Sequence, residues 1–421
     1  WIDLNLNFLC GFLPSRLSIL LGLPRRNFMP SRRSPSSQSR LLISNPRSPY
    51  GLRRERVKVI WPLKFVASVS DENESVVELM LEQWQSMTGM AAMFIGTIAI
   101  GLFIQPLYDV PEARAFGEEG TTKSGLILFE LVLIGIFTFL IIWLARKGLG
   151  SLIKFFVMLA LWFSLFYAVQ PFTLLILWLA GLESPNSVGL STLIISIGAM
   201  FVLWKYPEWW VVNSVGIMVG AGVIVMIGIS FVPTLVIMFM ILAAVYDYWA
   251  VHKSKHMLEL ADTMIGLKLP VLLVSPKEKG YSFLQQEGDI MREAAGMPPP
   301  PAGVMDAELP SGKKKGRDAL FMGLGDVIFP GMLVISAVSF LPEWGPEVWS
   351  VFGHFHLAQL VVAVGTLIGG LAGYVVLMGF VAQGKPQPGL PLLNGGAILG
   401  YLISGIYAFG FSELFQSITF L

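Results

Sequence analysis

The chain has 421 residues, 54% of them hydrophobic and only 14% charged, with 43 glycines and a net charge of +1. That balance excludes a soluble globular fold and a basic nucleic-acid-binding face, and it places the chain in a membrane. A single cysteine, Cys10, excludes an intrachain disulfide, and no Cys/His spacing fits a zinc or iron-sulfur site, so neither metal nor cofactor is expected.

Residues 1–70 differ from the rest: rich in Arg and Ser, without an acidic residue between Asp3 and Glu55. They are expected to be an unassigned, disordered basic extension. This composition belongs either to an organellar transit peptide or to upstream sequence read through into the frame, and we favour the second. The apolar stretch from Phe8 to Leu23 is too short, and too broken by Pro14 and Arg16, to span a bilayer.

After an acidic lead-in from Asp71 to Trp84, nine apolar segments long enough to cross a bilayer follow in close succession. They are expected over 88–107, 124–145, 152–181, 187–204, 210–228, 231–251, 317–341, 355–382 and 391–415. The expected fold is an all-α membrane protein of nine transmembrane helices, six over 85–251 and three over 317–421. The connection 252–316 is polar and contains Pro298 to Pro301 and Lys313 to Lys315. Its first part, His252 to Met264, could prolong the sixth helix, and Leu269 to Val274 is a short β-prone run.

Basic residues alternate between connections. Arg146, Lys147 and Lys154 flank the second, Lys205 lies in the fourth and Lys385 in the eighth, whereas Asp109, Glu112, Glu118 and Glu119 occupy the first, Glu183 the third, and Glu343 and Glu347 the seventh. Retention of Lys and Arg on the cytoplasmic side predicts a cytoplasmic N-terminus and an external C-terminus. Trp204, Tyr206, Trp209 and Trp210 fit an interfacial aromatic belt.

An acid in hydrocarbon costs roughly 3 kcal/mol or more on insertion scales, so Glu130, Asp247 and Asp326 each need a reason. Asp247 stands just over a turn before the cytoplasmic end of the sixth segment. Asp326 is expected a few turns into the seventh, which runs the opposite way, so the two carboxyl groups fall at similar depth. Two carboxyls sharing a site hold one proton between them near neutral pH, and such a pair can activate water and polarise a peptide carbonyl. Gly323 and Gly325 clear side chains from the approach to Asp326. Tyr246 can hydrogen-bond or pack against its neighbouring acid. Glu130 reads as a packed, protonated or water-linked acid, His354 and His356 as solvated loop residues, and Gly365, Gly369 and Gly373 as a close helix-packing ladder.

Tyr246-Asp247 in one span, Gly323-Leu324-Gly325-Asp326 in the next, and Pro388-Gly389-Leu390-Pro391 at the entry to the last resemble the signature of the presenilin and signal peptide peptidase family. The resemblance runs from about residue 85 to the end and is nearest to compact archaeal presenilin-like members. It implies an intramembrane aspartyl endopeptidase with Asp247 and Asp326 catalytic, and Pro388 to Pro391 shaping the active site and substrate binding. It further implies transmembrane-helix substrates, an archaeal cell membrane and no obligatory partner subunits. The family usually has Ala where Gly389 stands. Pro388 and Pro391 interrupt helix and leave irregular backbone, and an unwound substrate could add as a strand to Leu269–Val274 or to the residues just before Asp326. The rival reading is a transporter or channel that uses the same carboxylates for cations or protons, and a third is an inactive family member serving as a chaperone.

Overall fold

The computed structural model describes residues 78, 80–110, 113–182, 184–254, 265–277, 280–285, 319–382 and 387–419. The chain divides between Ile60 and Trp61, and every described residue belongs to the second unit. The basic extension, residues 255–264 of the expected prolongation of the sixth helix, the Pro298 to Pro301 run and Lys313 to Lys315 lie outside the described residues.

Six apolar helices come first: α1 (Trp84–Tyr108), α2 (Ser124–Arg146), α3 (Gly150–Leu179), α4 (Pro185–Lys205), α5 (Trp209–Gly228) and α6 (Pro233–Trp249). Their boundaries follow local chemistry. Ser184 caps α4 through the Ser187 amide with Pro185 at the first helical position, and Pro233 opens α6 in the same way. A π-helical turn, Ala250–Ser254, follows α6. After the polar connection come α7 (Leu324–Phe340), α8 (Leu357–Ala382) and α9 (Leu390–Phe409). Gly410, at φ 80°, ends α9 because only glycine takes that left-handed conformation without strain.

Seven of these helices are long and apolar enough to cross a membrane, and the two shorter ones, α6 and α7 at 17 residues each, carry the paired aspartates. The outer helices expose large apolar side chains, such as Phe129, Val132, Ile136 and Phe139 on α2 and Ile194 and Phe201 on α4, as lipid-facing helices do. The inner ones, α1, α5 and α7, contribute fully buried side chains including Phe94, Ile98, Ile224, Val225, Leu333 and Ile335.

The fold is mostly helical, as expected, and carries two short antiparallel pairs besides. Strand β1 (Leu272–Pro276) pairs with β2 (Ala319–Gly323) in the register Leu272 to Gly323 and Pro276 to Ala319. Strand β3 (Glu347–Trp349) pairs with β4 (His354–His356). Residues 319–323, expected as the first turns of a helix over 317–341, are therefore strand, because a short buried apolar run is equally compatible with either state and here finds an extended partner. His354 and His356 are likewise hairpin residues rather than free loop. His356 Nε2 lies 3.6 Å from Glu343 Oε2, and its Nδ1 lies 3.3 Å from the Gly345 carbonyl.

The glycine ladder of α8 meets a second one on α9. A methyl group at Gly369 or Gly373 would collide with the backbone of Gly396 or Leu392, and one at Gly400 with Gly365. Backbone-to-backbone approach of this kind is what small residues permit between membrane helices.

Candidate active site

The two aspartates occupy opposite ends of their helices but the same end of the molecule. Asp247 sits in the last turn of α6, 6% exposed. Asp326 sits in the first turn of α7, directly after β2, rather than several turns in. Gly323 is the N-cap of α7, and a methyl group on it would stand 3.3 Å from Asp326 Oδ2, so the strand-to-helix junction lies directly against this carboxylate.

The two carboxylates meet adjacent residues, Asp247 at Leu390 and Asp326 at Gly389. The amide of Leu390 donates to Asp247 Oδ2 at 3.2 Å. Gly389 lies against Asp326 so closely that a methyl group there would stand 2.8 Å from each carboxylate oxygen. Asp247 and Asp326 are also within direct electrostatic range of each other. Pro388 is buried, and Pro391 occupies the first turn of α9, where a missing amide leaves no helical bond unmade.

The remaining sequence candidates take distinct places. Leu324 is buried against Gly220 of α5, and its amide donates to the Val271 carbonyl at 2.9 Å, so it anchors the junction. A side chain at Gly325 would meet nothing within 4 Å, so that position faces open space beside Asp326. Tyr246 lies beside Thr138 of α2, and its ring is 6.3 Å from that of Trp249. Glu130 is half-exposed on α2.

Sequence reasoning missed the residues that hold β1. Val274 turns its amide and carbonyl away from β2, and both are taken by Asn213 of α5: Val274 N to Oδ1 at 2.8 Å, and Nδ2 to Val274 O at 2.7 Å. One side-chain amide thereby stands in for a neighbouring strand. At the next outward position Pro276 has no amide, and its carbonyl accepts from Ser86 Oγ at 2.7 Å. Ser275 Oγ returns a bond to the Ser86 carbonyl at 2.8 Å. The outer edge of β1 is closed at both positions. The equivalent outward residue of β2, Phe321, has no backbone hydrogen-bond partner among the described residues. The available signal was an amide side chain within an otherwise apolar helix, a costly placement unless its bonds are made.

Chemically, a pair of carboxyl groups without a nearby His/Ser or His/Cys constellation among the described residues suits water activation rather than covalent catalysis. No group of three or more His, Cys, Asp or Glu positioned for a metal ion occurs among the described residues.

Comparison with known proteins bears on this arrangement. Residues 90–410 match the family described as signal-peptide peptidase, presenilin aspartyl protease. A search of curated proteins found no match. Two solved structures of a presenilin family intramembrane aspartate protease, in space groups C222 and P2, are each 26% identical to this chain and cover 76% of it. The matches cover 99% and 97% of those chains, with TM-scores of 0.49 and 0.46. The family match spans most of the sequence, including both aspartates and the Pro388 to Pro391 element. This chain belongs to the signal-peptide peptidase and presenilin family, and it is a multi-pass membrane aspartic endopeptidase that acts within the bilayer.

Proposed function

We propose that Asp247 and Asp326 are the catalytic pair. The observation that carries this reading is that the two carboxylates meet adjacent residues, Asp326 at Gly389 and Asp247 at Leu390. The ionised member takes a proton from a water held between them while the protonated member hydrogen-bonds the scissile carbonyl. Attack gives a tetrahedral gem-diol, whose collapse with proton return to the leaving nitrogen breaks the C–N bond. Tyr246 steadies the end of α6 through α2, and Gly323 and Leu324 hold the turn that presents Asp326. Gly325 leaves room for the substrate, and Pro388, Gly389, Leu390 and Pro391 form the wall on which it lies.

A transmembrane substrate has to be unwound before its peptide bonds are accessible, and pairing with a strand edge offsets the hydrogen bonds it gives up. Of the two candidate edges, the reading favours β2. The outer edge of β1 is engaged by Asn213 and Ser86, whereas Phe321 of β2 offers an amide and a carbonyl beside Asp326.

We further read α6 and α7 as crossing the membrane with the other seven helices, which gives nine spans. The polar connection 252–316 and the N-terminus are then cytoplasmic and the C-terminus external, as the alternation of basic connections predicts. The short lengths of α6 and α7 are consistent with this, because the π-turn and the β1–β2 pair supply the rest of the path at the aspartate end. This topology presents the pair to substrates whose N-terminus is external. An archaeal cell membrane and activity without partner subunits complete the reading.

The test is cleavage of a tagged transmembrane substrate by the purified chain in vesicles, repeated with Asp247→Asn and Asp326→Asn. Each variant is expected to lose cleavage entirely while keeping its thermal midpoint. Persistent cleavage by either variant removes that residue from the mechanism, and ion flux without proteolysis would favour the transporter.

A further inference from the structure

A cavity of about 360 Å³ opens between α6 and α9, lined by apolar side chains such as Met240, Ala244 and Ile398, by Tyr248 and Pro391, and by one amide, Asn394. Asn394 is 1% exposed. Its Nδ2 donates to the Met240 carbonyl at 3.0 Å, which fixes the orientation of the amide, because a carbonyl can only accept. The other end, Oδ1, is buried and has no hydrogen-bond donor among the described residues. A buried acceptor left unpaired carries its full desolvation penalty, and leucine would fill nearly the same volume without it. Packing alone therefore does not account for an asparagine here.

Its position relates it to the catalytic pair. Leu390, whose amide binds Asp247, lies four residues before Asn394, so the two share a face of α9 about one turn apart. Met240 lies seven residues before Asp247, two turns away on the same face of α6. The orphan acceptor thus belongs to the same seam between α6 and α9 as the reacting groups, deeper along it by a turn or two. Gly395, beside it in the cavity wall, has no atom within 4 Å of where a methyl group would stand.

Unwinding a transmembrane helix releases backbone N–H groups that cannot reach water in the hydrocarbon. We propose that Asn394 is a substrate-positioning residue whose Oδ1 accepts one such N–H, with the unwound segment of the substrate seated in the cavity between α6 and α9. This inference rests on the reading of Asp247 and Asp326 as the catalytic pair. The amide it captures is free only after unwinding, so the bond is made on the way to the transition state and acts on kcat rather than on KM.

The experiment uses synthetic transmembrane peptides in which a single N-methyl group replaces the N–H at successive positions around the cleavage site. They are presented in vesicles to the wild-type chain, to Asn394→Leu and to Asn394→Met. Both variants are expected to keep or raise the thermal midpoint while kcat falls about tenfold at nearly constant KM, the worth of one strong hydrogen bond. One N-methylated position is expected to lower wild-type kcat by a similar factor yet to cause no further loss in either variant, the non-additivity of two groups that meet. Wild-type kcat in the leucine and methionine variants would overturn the inference. So would N-methyl losses of equal size in all three proteins, which would assign the oxygen to the fold or to a trapped water. Those outcomes leave the catalytic pair standing so long as Asp247→Asn and Asp326→Asn remain inactive; cleavage by either aspartate variant would instead sink the reading beneath.

Discussion

Helix α9 has two unlike sides. Toward α8 it is closed: Gly365, Gly369 and Gly373 meet Leu392, Gly396 and Gly400 backbone to backbone, with no room for a methyl group. Toward α6 it is open, with a cavity, a buried asparagine whose oxygen has no donor among the described residues, and the Leu390 amide spent on Asp247 rather than on packing. The difference shows how one helix can be held rigidly and still border a site. The seam with α8 fixes where α9 stands, and the seam with α6 leaves a cavity of about 360 Å³ beside it. Glycine serves both sides in opposite ways, since it removes space at Gly369 and leaves it at Gly395.

The most severe break in this contrast is expected from Gly369→Val. A branched side chain driven into the Gly396 backbone has no low-cost rearrangement, and a destabilisation of about 3 kcal/mol or more is expected, read as loss of folded protein after detergent extraction. Gly389→Val should act on the other side and leave the fold intact. Its branched side chain would displace the Asp326 carboxylate further than the alanine that the family usually carries there, and a fall in kcat of about tenfold is expected with the thermal midpoint nearly unchanged, in keeping with the sensitivity of catalysis to small displacements. If Gly389→Val proves fully active, the close contact between the Pro388 to Pro391 element and Asp326 has no role in holding the carboxylate.

Asn213→Leu is a subtler intervention. It leaves the buried amide and carbonyl of Val274 without partners, at a cost of about 2 kcal/mol. It also exposes a second strand edge, so cleavage products of more than one register are expected in mass spectra. A single unchanged product would detach the β1 edge from substrate pairing.

The smallest effect is expected at the far end of the molecule. Gln105 Nε2 donates to Asp109 Oδ2 at 2.8 Å and to Ser339 Oγ at 2.9 Å, and Arg114 lies 3.4 Å from Asp109 Oδ1, which ties the end of α1 to the end of α7. Burial pushes the Asp109 carboxyl above its ordinary range, and Arg114 and the hydrogen bonds only partly oppose this. A raised pKa means that the folded state holds the proton more tightly than the unfolded one. The resulting stability is complete below the ordinary aspartate range and is lost as pH rises through the raised value. Asp109→Asn should therefore match the wild-type thermal midpoint near pH 4 and equal or slightly exceed it at pH 7. A variant whose deficit grows with pH would reverse that sign.

Much of the candidate site was legible in the sequence because acids in apolar runs are expensive. Asp247 and Asp326 stand out as acids in apolar runs, and the glycine and proline motifs beside them mark where backbone must approach. The ladder of Gly365, Gly369 and Gly373 carries its own period, and close packing follows from it. The β1–β2 pair was legible only as alternatives, since Leu269–Val274 and the residues before Asp326 each read as strand-prone but their mutual pairing is a tertiary fact. The strand observed, Leu272–Pro276, starts three residues later than the apolar run, and its outer edge is closed by Asn213 and Ser86, which lie in other helices. Asn213 and Asn394 were passed over for the same reason: a lone amide in a span announces a partner without naming it.

The central claim is that Asp247 and Asp326 share one site, and proximity tests it most directly. With Cys10 replaced by serine, Asp247→Cys and Asp326→Cys would be combined in a chain carrying a protease site within residues 286–318, and treated with a short thiol-to-thiol cross-linker. After proteolysis the two halves are expected to stay joined under denaturing conditions, whereas the control pair Glu130→Cys and Asp326→Cys should separate. Separation of the Asp247→Cys and Asp326→Cys halves, with both thiols shown to be reactive, would contradict the account.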